Sequence, residues 1–134
     1  MKKYENFCSN LAVLASAGKE DLDNEFILSG IINKFSLQFE LTWKLLKELL
    51  KYEGRNATHS GSPREIIKEA YAVYDFVDPD IFLVMLRDRN DMTHLYDGKA
   101  AKRLVTKIIR VYIPAFQNLK KHIDEQYGDI LPGL

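Results

Sequence analysis

Residues 24–52, NEFILSGIINKFSLQFELTWKLLKELLKY, decide the fold. The apolar positions Ile27, Ile31, Phe35, Phe39, Trp43, Leu46 and Leu50 step by three or four, which sets their side chains on one face of an α-helix. Glu40 stands one turn before Lys44, the orientation that supports an exposed helical face. Gly54 follows where a helix stop is expected. The spacing therefore predicts one long helix from about Asn24 to Tyr52.

The same period continues on both sides. Upstream, Tyr4, Phe7, Cys8, Leu11, Leu14 and Ala15 predict a first amphipathic helix ending near Gly18. Downstream, Arg55 to Gly61 is a polar connection. Ser62-Pro63-Arg64-Glu65 then reads as a helix start, with serine as cap, proline in the first turn and Glu65 completing a capping box. Asp78-Pro79 starts a fourth helix in the same manner, striped by Ile81, Phe82, Met85 and Leu86. Asp97-Gly98 restarts the chain into a last long helix to about Gln126, in which Pro114 removes a backbone donor and predicts a kink. No strand pattern or internal repeat is visible. The expected fold is all-α, an up-and-down bundle of four to five helices. It forms a single domain over residues 1–127, with a flexible tail at 128–134.

At 134 residues the chain is long enough to bury a core without staples. Cys8 is the only cysteine, so no internal disulfide forms, and a reduced, cytoplasmic setting is the expectation. Lys2 and Lys3 precede an apolar run from Leu11 to Ala17, but Glu5, Asn6, Ser9 and Asn10 interrupt what a secretory signal needs. No apolar stretch is long enough for a bilayer. The 19 basic residues balance 19 acidic ones. That argues against a protein-wide electrostatic footprint for nucleic acid and leaves room for a local basic site.

The densest polar cluster runs from Arg87 to Tyr96, RDRNDMTHLY. Arginine binds phosphate and stabilises charge developing on it; histidine gives or takes a proton near neutral pH. Together they suit metal-independent cleavage of a phosphodiester. In one continuous helix Asn90 and His94 share a face, whereas Arg89 and His94 diverge. The two converge only if the helix ends between them, if the arginine wraps round, or if a second copy contributes. The plainer reading is a solvated helix end, with His94 near the dipole.

Three blocks occur in order: FELTWK at Phe39–Lys44, GSPRE at Gly61–Glu65 leading to Lys68-Glu69-Ala70, and MLRDRN at Met85–Asn90 with His94 and Tyr96. On them the chain resembles the nucleotidyltransferase substrate-binding subunit family, a branch of the HEPN superfamily, from about Leu28 to Ile123. The resemblance implies a helical bundle that forms a homodimer and partners a separately encoded minimal nucleotidyltransferase. It also implies two descriptions of the site. In HEPN ribonucleases the arginine, the polar residue after it and a histidine cleave RNA; Arg89, Asn90 and His94 match them as catalytic residues. In related toxin–antitoxin pairs the tyrosine two places after the histidine receives AMP, which silences the toxin; Tyr96 matches that modification site.

Other residues carry weaker signals. Arg64 and Arg87 are candidate substrate-binding cations, Arg64 from a first helical turn where backbone donors also point outward. Trp43 reads as core, and Glu40 as either a family position or an ordinary exposed acid. His59 and His122 have no ligand spacing to each other or to Cys8, and Asp88 and Asp91 lie among arginines that favour ion pairing over metal binding, so no metal is expected. No cofactor is expected either. There is no glycine-rich phosphate loop, so nucleotide transfer belongs to the partner, and RNA or a nucleotide is the candidate ligand.

Overall fold

A computed structural model describes residues 1–55 and 61–134; His59 and most of the predicted polar connection lie outside them. The α-helices are α1 (Lys2–Leu14), α2 (Glu25–Tyr52), α3 (Pro63–Val73), α4 (Pro79–Asn90), α5 (Gly98–Lys107) and α6 (Ile113–Tyr127). A π-helical turn at Ile108–Tyr112 joins α5 to α6, so these run on as one rod, and the architecture is an all-α bundle of five rods. No strand occurs among the described residues.

Local chemistry sets most of the ends. The Asn24 side chain accepts from the amides of Phe26 and Ile27 to begin α2, and Asp78 and Asp97 do the same for α4 and α5. At the end of α2, Gly54 has φ +75°, with its amide on the Lys51 carbonyl and the Arg55 amide on that of Leu50. That left-handed residue and pair of bonds make a Schellman stop, which glycine adopts without steric cost. The capping box expected at α3 is not formed through Ser62, whose side chain bonds no first-turn amide. Pro63, with φ already fixed for a helix, opens α3. α1 ends earlier than its pattern suggests, at Leu14, and the chain passes through a 3-10 turn at Ala17–Lys19.

The long helix α2 is the axis of the bundle and packs against α1, α3, α4 and α5. It is buried on a broad stripe: Ile31, Phe35, Phe39, Leu46 and Leu50 face the core as the spacing requires, with Leu45 and Leu49 beside them. Ile27 and Trp43, at the edge of that stripe, are only half-buried. Phe35 stacks on Tyr112 at 5.2 Å and contacts Phe116, which meets Phe82 edge-on at 6.2 Å. This aromatic chain ties α2, α4 and the last rod together.

At Pro114 the helical ladder changes form. The proline has no amide hydrogen to donate one turn back, and just before it the Ile113 amide reaches the carbonyl of Ile108, five residues back. Residues 131–133 form a 3-10 turn, Leu131 is buried, and its carbonyl accepts from the Met1 ammonium at 2.9 Å. Among the described residues no helix is long and apolar enough to cross a membrane.

Candidate functional site

α4 ends at Asn90, between the arginine and the histidine of the polar cluster. The backbone turns extended at Asp91, whose carboxylate accepts from the amide and hydroxyl of Thr93 at 2.9 and 2.7 Å. These bonds hold the Asp91 carboxyl below the usual carboxylate range. They also shape the 3-10 turn Thr93–Leu95 that carries His94.

His94 opens into a groove of about 250 Å³ between the end of α4, this turn and α5. Its wall includes Asp88, Asp91, Arg103 and Lys107. Asp88 is mostly buried; it accepts from the Tyr112 hydroxyl in a short hydrogen bond and lies 3.0 Å from Lys107 Nζ. Burial first, then the Asp88 bond and charge, push the Tyr112 hydroxyl far above its ordinary pKa, so it stays a donor. The π-helical turn thus begins beside Lys107 and ends at Tyr112, both of which meet Asp88 Oδ2.

Arg89 is not part of that wall. Its guanidinium forms a short ion pair with Glu40 Oε2 and lies 5.3 Å from the Phe39 ring centre, a cation–π distance. The same Glu40 oxygen accepts from Trp43 Nε1 at 3.0 Å, while Lys44 sits 3.4 Å from the other oxygen. Burial raises the Glu40 carboxyl, but the Trp43 bond and the Arg89 and Lys44 charges outweigh it and leave the pKa lowered. The first block, FELTWK, and the arginine of the third therefore meet in one cluster across α2 and α4.

A single chain brings Arg89 to Glu40 and His94 to Arg103 and Lys107, and it does not seat Arg89 and His94 in one groove. A family description, nucleotidyltransferase substrate binding protein like, matches residues 1–125. The chain belongs to that family. No curated protein matches it.

The remaining positions of this nucleotidyltransferase substrate-binding-type chain divide by exposure. Asn90 is exposed at the last residue of α4. Tyr96 follows the 3-10 turn with 81% of its surface exposed, flanked by exposed Leu95. The Arg87 side chain is 70% exposed with its Nε 3.7 Å from Asp88. Arg64 is exposed on α3 and does not line the groove. Among the described residues no group of three His, Cys, Asp or Glu side chains is placed to hold a metal ion. Asp88 does form ion pairs, as its neighbours suggested, but its nearest cation is Lys107 of the last rod. Asp91 bonds Thr93 instead.

Sequence reasoning passed over Arg103 and Lys107, and it placed Tyr112 only on the apolar stripe of the last long helix. Arg103 and Lys107 are four apart, so a common helical face was legible. Only the fold brings that face to His94.

Proposed function

We propose that this chain is the helical partner subunit of a separately encoded minimal nucleotidyltransferase, in a two-component system of toxin–antitoxin type, and that it works as a homodimer in the cytoplasm. The family match supports the pairing, and the exposure of Tyr96 carries the mechanism. Its hydroxyl is open to another protein's active site, two residues from His94. The tyrosine oxygen attacks the α-phosphorus of ATP, pyrophosphate leaves, and the phenolic proton passes to a base of the partner. The product is an AMP ester on Tyr96. Its phosphate adds a negative charge and a bulky nucleoside two residues from His94, a local block of the kind a covalent switch imposes. Incubation with the nucleotidyltransferase, ATP and magnesium is expected to add one AMP to the intact mass. An unchanged mass, or an adduct that survives Tyr96→Phe, refutes the assignment.

A second reading is metal-independent ribonuclease activity, and it is favoured by the end of α4 between Arg89 and His94. In that reading a ribose 2′-oxygen attacks the adjacent phosphorus, the 5′-oxygen leaves, and His94 transfers a proton while Arg89 and Asn90 act on the phosphate. A second copy supplies the complementary set, since one chain keeps Arg89 on Glu40. His94→Ala should lower the cleavage of single-stranded RNA ~10²–10⁴-fold with helical content unchanged. Cleavage should persist in a chelator. Wild-type protein that leaves RNA intact across substrates and pH removes this reading and leaves the partner-subunit reading in place.

A further inference from the structure

The chain is neutral overall, but its charge is not evenly spread. Between Asp97 and Asp124 there is no acidic residue, while Lys99, Lys102, Arg103, Lys107 and Arg110 fall on or just after α5. Apart from the adjacent Lys102 and Arg103, their steps of three and four put most of them on one side of the rod. Ala101, Val105 and Ile108, at intervening positions, are buried. The outward side of α5 is therefore a cationic strip on a neutral protein.

Arg103 is the centre of that strip. It lines the His94 groove, and it also lines an adjoining recess of about 480 Å³ with Lys99, Lys102 and Thr106. The acids near it are engaged elsewhere. Asp91 holds Thr93, Asp88 holds Tyr112 and Lys107, and Asp23 takes Lys102 at 2.7 Å. Among the described residues no carboxylate pairs with Arg103 or with Lys99. An open guanidinium presents a planar fork of donors that matches two oxygens of one phosphate.

We propose that α5, through Arg103 flanked by Lys99 and Lys107, is the element that holds the phosphodiester backbone of single-stranded RNA and leads it to His94. The proposal rests on the ribonuclease reading of His94 and adds residues that reading does not contain. It gives ground-state phosphate binding to α5 and leaves the reacting phosphate to the Arg89 that a second copy supplies. Lys107 is aimed by Asp88, which Tyr112 fixes from behind. Exposed Tyr96, two residues from His94, offers a ring on which an unpaired base stacks, a contact that a duplex would not make.

The test is fluorescence anisotropy of a labelled single-stranded RNA decamer with the full chain, repeated over a range of salt. Arg103→Glu is expected to weaken binding about tenfold or more, as loss of a charge-assisted bond does. Lys99→Ala with Lys107→Ala should flatten the salt dependence by about 1.4 log units per log unit of salt, the value for two phosphate contacts on a single strand. Lys34→Ala, exposed on α2 away from the strip, should leave binding and slope as in the wild type. Normal binding by the α5 variants, with cleavage lost in His94→Ala, overturns this proposal and leaves the ribonuclease reading standing. An equal loss in Arg89→Ala overturns the assignment to α5. If the wild type binds no RNA at low salt, both fall, and loss of the nucleotidyltransferase complex in Arg103→Glu would then give the strip to an acidic protein surface.

Discussion

At Glu40 one carboxylate takes a guanidinium, an indole N–H and an ammonium, and its lowered pKa has a consequence for stability. A carboxyl depressed in the folded state contributes stability above its unfolded pKa and loses it as pH falls through the folded value. Glu40→Gln should therefore destabilise the protein at pH 7 by roughly 1 kcal/mol, since both partners are partly exposed and screened. The gap from wild type should begin to close near the ordinary glutamate value, ~4.3, and shrink further as pH falls through the lowered folded one. Urea unfolding at pH 7 and pH 3 measures it; a gap that widens in acid contradicts the assignment. At this scale the sequence was half legible. The chemistry of arginine and histidine singled out Arg89 and His94, while Tyr96 was marked by the family resemblance and Glu40 was left between a family position and an ordinary exposed acid. That Arg89 turns to Glu40 while His94 turns to α5 depends on where α4 stops, and Asp91 settles that through a side-chain bond to Thr93.

Between elements, the joint of α1 and α2 is polar inside an apolar core. Gln38 is fully buried; its amide donates to the Phe7 carbonyl at 3.2 Å and its oxygen accepts from Asn10 Nδ2 at 2.9 Å. Asn10 also reaches the Lys34 carbonyl at 3.0 Å. These bonds fix how far α1 slides along α2, which apolar contacts alone specify less sharply. Gln38→Leu should cost roughly 1–2 kcal/mol, because the Phe7 carbonyl loses the donor it has beyond its helical one and Asn10 loses one of its two acceptors. A lower urea midpoint with an unchanged slope is the expected observation. Helix existence was readable throughout, since period and caps are local. The polar pin was not, because Asn10 and Gln38 look like exposed positions until the two helices meet. Pro114 was read as the site of a kink; the π-helical form of the turn before it was not legible in the pattern. The π-helical turn lets Tyr112 enter the core beside Phe35 while its hydroxyl reaches Asp88.

For the whole molecule, the separation of Arg89 from His94 within one chain makes the second copy part of the proposed site. Sedimentation equilibrium is expected to give twice the 15.5 kDa of a single chain. A monomer at high concentration would contradict it. Phe26, with 85% of its surface exposed, and half-exposed Val13 border an apolar recess at the junction of α1 and α2. Nothing in the one-dimensional pattern separates such apolar surface from core, since both obey the helical period. The molecule also has a single tryptophan. Trp43 shares one oxygen of Glu40 with Arg89, so the protein's only indole fluorophore is wired to the arginine of the proposed site. Its emission is an optical gauge of whether that arginine is docked or drawn away, readable in the unmodified chain without a dye.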